Sequence, residues 1–108
     1  MSAFIRGGMA ERAELLGQGQ TRQDLTVSRA MGVVYTNATG KVILLLLTVN
    51  IAANYGSAQL LINGLQCAVV QRTTATMLES IHCEVLPGET YTLQNLASSA
   101  INKWIEVR

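Results

Sequence analysis

The sequence predicts an all-β fold: an antiparallel β-sandwich, jelly-roll-like, of about eight strands, preceded by a short N-terminal arm of helix-forming composition. Three observations carry this reading. From Gln23 onward helix formers thin out and Thr and Val become frequent. Turn signals recur at roughly eight- to twelve-residue spacing, the rhythm of a sandwich or barrel. Hydrophobic residues make up 49% of a 108-residue chain, enough for the core of one domain and not of two.

The elements follow in order. Residues 1–20 read as an arm, and residues 21–108 as the sandwich. Within the arm, Met9–Leu16 is a run of good helix formers bounded by Gly7-Gly8 and Gly17. A helix so short is marginal alone and orders against a neighbour or the domain's own flank. Strands are expected near 23–28, 31–36, 41–51, 57–63, 65–72, 76–85, 89–94 and 101–107, with turns between them rich in Gly, Asn, Ser and Thr. Asn63-Gly64 is the strongest turn signal, because both residues tolerate the positive φ of a type I′ hairpin and Ala58, Leu60 and Ile62 alternate before it. Pro87-Gly88 fits the central pair of a type II turn. The last strand sets Ile101, Lys103, Ile105 and Val107 against Asn102, Trp104, Glu106 and Arg108, so it offers one largely apolar face and a Trp on the other.

The segment 41–51 does not alternate. Val42, Leu44 and Leu46 point one way, and Ile43, Leu45 and Leu47 the other. A strand apolar on both faces needs cover on both, and a two-layer sandwich covers one. Its second face therefore calls for the arm or another subunit. The residues expected at an assembly interface are Phe4, Ile5, Leu15 and Leu16 in the arm, with Ile43, Leu45 and Leu47 on the strand.

Charge and composition exclude several function classes. Charged residues are 14% of the chain, against about a quarter in a typical soluble domain, which fits a surface partly covered by partners. The net charge of +1 is scattered, with no basic run and few aromatics, so nucleic acid is not an expected partner. Val42–Leu47 is far too short to span a bilayer, and Met1–Gly8 lacks the apolar core of a secretory signal. Synthesis in the cytoplasm with reduced thiols is the resulting expectation. Cys67, Cys83 and His82 are too few for a Cys/His zinc site, and no cofactor or metal is expected. If the strands around Thr74 form a hairpin, Cys67 faces Ile81 and Cys83 faces Leu65, out of register for a disulfide; both read as buried free thiols. Ser80, His82 and Glu84 share a strand face but carry no hydrolase signature, so catalytic residues are not expected. Asn37-Ala-Thr39 matches a glycosylation acceptor by pattern alone.

One stretch carries a family resemblance. Gly19-Gln-Thr-Arg-Gln-Asp-Leu-Thr-Val-Ser-Arg-Ala30, then Gly32-Val-Val-Tyr-Thr-Asn-Ala-Thr-Gly-Lys41, then Pro87-Gly-Glu-Thr-Tyr-Thr92 and Trp104-Ile-Glu-Val-Arg108, resembles a module of tailed-bacteriophage structural proteins, often labelled tail-fibre-like. Arg22 stands where that pattern has Trp, and Val42 where it has Pro; with Val42 the long strand is expected to start a residue earlier. The resemblance implies a non-enzymatic particle component, often a homotrimer, made in the host cytoplasm and residing in the virion. The expected function is tail-associated assembly (fibre, tip or collar) with itself and other virion proteins. Capsid decoration that clamps neighbouring capsomers, and binding of a host surface glycan, are the alternatives. From the residues alone, Arg29 is expected to bind nearby carbonyls or Asp24, and Asn37, Thr39 and Gly40 to shape a turn.

Overall fold

The structure, a computed structural model, describes residues 19–52, 55–72 and 76–108. Phe4, Ile5, Leu15 and Leu16, and the arm to which they belong, lie outside the described residues. Eight strands follow in order: β1 (Arg22–Asp24), β2 (Tyr35–Thr36), β3 (Ile43–Ile51), β4 (Ser57–Ile62), β5 (Leu65–Gln71), β6 (Met77–Val85), β7 (Thr90–Ala97) and β8 (Ser99–Val107).

The pairing is nested. β4 pairs with β5, β3 with β6, β2 with β7 and β1 with β8, all antiparallel. The chain is thus one long hairpin whose tip is Asn63-Gly64, with φ of 53° and 78° there, as a type I′ turn demands. Rolling that hairpin places successive pairs in alternate sheets, in the orders β1-β8-β3-β6 and β2-β7-β4-β5. Two four-stranded antiparallel sheets in this order are a jelly roll.

Strand β3 supplies the centre of the core. Ile43, Leu45, Leu47, Val49 and Ile51 point inward, and each is at most 1% exposed. Burying each such side chain stabilises the fold by about 1.5–3 kcal/mol. They meet Ala58 and Leu60 of β4, Ile81 and Val85 of β6, Tyr91 and Leu93 of β7, and Trp104 of β8. This corrects the expectation for Ile43, Leu45 and Leu47. They face the opposite sheet and are not available to a partner; the outward face of β3 carries Leu44, Leu46 and Thr48 instead.

Other expectations shift for local reasons. The strand expected over 23–28 stops at Asp24, because its carboxylate accepts from the Thr26 amide (3.0 Å) and hydroxyl (2.6 Å) and turns Thr26–Ser28 into 3-10 geometry. Only Tyr35–Thr36 of the stretch 31–36 is paired. β3 begins at Ile43 and not earlier, since the Val42 carbonyl accepts from Gln20 Nε2 at 2.7 Å. At the other end of the chain, β7 and β8 are parted by Ser98 alone, at φ 43°, where the Asn95 side chain accepts from Ser99 N and Oγ. In β8 a bulge opposite Thr48/Val49 leaves Asn102 unmatched, so that Ile101 packs toward the core while Ile105 and Val107 face outward.

Candidate functional site

Two constellations stand out, one inside the sandwich and one on its outer surface. The inner one centres on Glu106, whose side chain is 0% exposed. Its register opposite Leu45 turns it inward. Oε2 accepts from Arg29 Nε (3.0 Å), Tyr91 Oη (3.0 Å) and Trp104 Nε1 (2.9 Å). Oε1 accepts from Arg108 Nη1 (2.7 Å) and Arg29 Nη2 (3.4 Å). Arg29 lies over the Tyr35 ring, 4.6 Å from its centroid, and the Tyr35 hydroxyl accepts from the Ala30 amide. Tyr35, Tyr91 and Trp104 stand with ring centroids 5.8–6.5 Å apart, which adds to their area burial.

Burial opposes ionisation of Glu106, but hydrogen bonds from Arg29, Trp104 and Arg108 and the charge of Arg29 outweigh it and hold its pKa below the ordinary value. The Tyr91 hydroxyl is pushed up, first by burial and then by the neighbouring carboxylate. A carboxylate with about four acceptor positions is filled by such a set of donors. With both oxygens engaged, the cluster ties segments together. It joins the loop carrying Arg29 to β7 and β8, beside the backbone bonds from Leu25 N to Trp104 O (2.8 Å) and between Thr21 and Arg108.

These residues come from the stretches that carry the sequence resemblance. Ser-Arg29, Tyr35, Tyr91 and Trp-x-Glu-x-Arg108 are far apart in sequence and meet at one carboxylate. Arg29 donates to the Ser28 carbonyl at 3.4 Å, in line with the expected carbonyl contacts, but its main partner is Glu106, and Asp24 pairs with Lys103 at 3.4 Å on the surface. The pairing of Arg29 with Glu106 crosses 77 residues, and no local spacing announces it. Asn37 plays a similar part nearby. It is 1% exposed, its Nδ2 donates to the carbonyls of Lys41 and Val85, and its Oδ1 accepts from Thr39 N and Oγ1. Gly40 adopts φ 81°. The turn role expected of Asn37, Thr39 and Gly40 is therefore observed, and the buried, engaged amide leaves no place for a glycan.

The outer constellation lies on the exposed side of the β1-β8-β3-β6 sheet. Register places Leu44 beside Val107 and Leu46 beside Ile105, forming a half-buried aliphatic stripe along β3 and β8. Arg22 and Asp24 flank it from β1, and Glu84, His82 and Ser80 from β6. Lys103 closes it beside Thr48. An apolar centre with a polar rim is the anatomy of a protein-binding patch. Arg22, where the resembled pattern has Trp, sits next to Val107, so an aromatic there would widen the stripe. Ser80, His82 and Glu84 do share one face, as expected, but all are exposed on an open sheet and not gathered in a cleft.

The cysteines need the clearest correction. β5 and β6 form no hairpin; they are edge strands of different sheets, so the register argument against their contact fails. Cys67 is exposed and Cys83 half-buried, both free, with their sulfurs 3.1 Å apart.

Among known proteins, no family model matches the sequence, and no curated protein does. A solved β-glucosidase from Paenibacillus barengoltzii is similar in structure, with a TM-score of 0.51 at 16% identity. The match covers 82% of this chain and 10% of that one. At such identity the likeness is one of fold.

Proposed function

We propose that this chain is a structural module of a tailed-bacteriophage particle, associated with the tail, that works by non-covalent assembly with copies of itself and with other particle proteins. The observation that carries this reading is the aliphatic stripe Leu44, Leu46, Ile105 and Val107 on the outer face of one sheet. It is the second apolar face of β3, and water is a poor neighbour for it. The motif resemblance supports the phage setting, and its residues converge on a buried tie that stabilises a scaffold. The saturated Glu106 and the open row Ser80, His82 and Glu84 weigh against catalysis. A glycan-binding role would want exposed aromatic platforms. Among the described residues Tyr55, 67% exposed, is the one large aromatic offered to solvent, while Trp104 and Tyr91 are interior.

Light scattering of the full chain at micromolar concentration tests the assembly. The wild type is expected to be a trimer, and Leu46→Lys combined with Ile105→Lys a folded monomer with an unchanged circular dichroism spectrum. A monomeric wild type, or a trimer that survives both lysines, overturns the role of this face. The chain's position in a density map of the particle then tests the setting: tail density supports the reading, and a place on the capsid shell replaces it with decoration.

A further inference from the structure

We propose that Cys67 and Cys83 are an oxidisable pair that closes to an intramolecular disulfide outside a reducing compartment and staples the two sheets along their open edge. This goes beyond the assembly reading and does not depend on it.

The geometry is specific. β5 ends one sheet and β6 ends the other, so this side of the sandwich is where the sheets are free to part. Cys83 alternates with the buried Ile81 and Val85 and points into the gap between the sheets. On β5 the register shifts between Leu60, opposite Ala68, and Leu61, opposite Gln66, which leaves Cys67 as the extra residue of a bulge. Bulges re-aim a side chain. Here the bulge lets Cys67 turn inward together with Ala68 and bring its sulfur to 3.1 Å from that of Cys83. A disulfide needs about 2.05 Å between sulfurs, an approach of roughly one ångström that two edge strands can accommodate.

The two thiols differ in a way that orders the chemistry. Cys67 is exposed and meets the oxidant first. Burial, followed by the hydrogen bond and charge of Cys67, pushes the Cys83 thiol up to about 12, so Cys83 serves as the resolving partner. With a small-molecule disulfide as oxidant, the Cys67 thiolate attacks one sulfur and expels one thiol, leaving a mixed disulfide. The Cys83 sulfur then loses its proton and attacks Cys67, expelling the second thiol. The protein is oxidised by loss of two hydrogens, and the small disulfide is reduced to two thiols. Cytosolic reductants keep such a pair open, and an oxidising exterior closes it.

The test uses the full chain, purified with reductant and then exposed to oxidised glutathione. The expected product is a polypeptide lighter by two hydrogens and free of intermolecular cross-links, with no titratable thiol and a melting temperature raised by about 10 °C. Cys83→Ser should instead accumulate glutathione on Cys67, and Cys67→Ser should stay unmodified under the same exposure. Glutathione on both cysteines of the wild type, covalent dimers, or two thiols that remain titratable would each overturn the proposal.

Discussion

The two sheets share one interior but differ in what links the side chains of their outer faces. On the β1-β8-β3-β6 sheet the outer face carries Leu44, Leu46, Ile105 and Val107 side by side. On the β2-β7-β4-β5 sheet three glutamines link across the outer face beside the exposed Val69: Gln66 Nε2 donates to Gln59 Oε1 at 2.8 Å, and Gln59 Nε2 donates to Gln94 Oε1. Amide side chains bonded to one another across three strands remain soluble and ask for no partner. Aliphatic side chains in the same positions cannot be satisfied this way. One outer face thus links its own polar side chains, and the other is where the proposed assembly would add cover.

The largest effect is expected from erasing the interior that both faces depend on. Glu106→Gln leaves Arg29 and Arg108 without a counter-charge, and breaking a buried pair costs about 3–5 kcal/mol. Chemical denaturation should show that loss, with both faces disrupted together. The same carboxylate sets an acid limit. Its folded pKa lies below the ordinary 4.5, so its contribution is fully present above the unfolded value and is lost as pH falls through the folded one. Wild-type stability should therefore drop below about pH 4.5, and the drop should flatten in Glu106→Gln.

A smaller change sharpens the contrast between exteriors. Arg22→Trp sets an indole beside Val107 on the apolar face and should tighten self-association about tenfold in the dissociation constant, measured by sedimentation. Thermal stability should hardly move. The smallest effect belongs to the glutamine face. Gln59→Ala cuts both links of the row and should cost about 0.5–1.5 kcal/mol, with the oligomeric state unaltered by light scattering. A change of assembly there would assign the interface to the wrong sheet.

Much of the scaffold was legible because it rests on local chemistry. Asn63-Gly64, Pro87-Gly88 and the alternation around Leu60 each announce a turn or strand within a few residues. Gly88 takes φ 85° and Glu89 N bonds Leu86 O, as the type II reading required. What stayed hidden depends on partners distant in sequence. The unbroken run Ile43–Leu47 does not say which face looks inward, since either set of aliphatic side chains would serve as core. The strand pattern around Glu106 gives no sign of its role until Arg29 and Tyr91 are folded onto it. Cys67 and Cys83 are free thiols, as expected, but their contact is hidden in the sequence because proximity suggests a hairpin, whereas the chain changes sheets between them. The bulge that aligns their sulfurs leaves no mark in composition.

The nested order of strands has a consequence for how this molecule comes into being. The nested pairs lie at increasing separation along the chain, from β4 with β5 around residues 63 and 64 out to β1 with β8, where Arg22 meets Val107. Non-local closure of this kind is slow. While the polypeptide is being made, β1 must wait for β8, and the aliphatic stripe, built half from β3 and half from β8, does not yet exist. The surface on which the proposed assembly rests is thereby complete only once synthesis has passed β8.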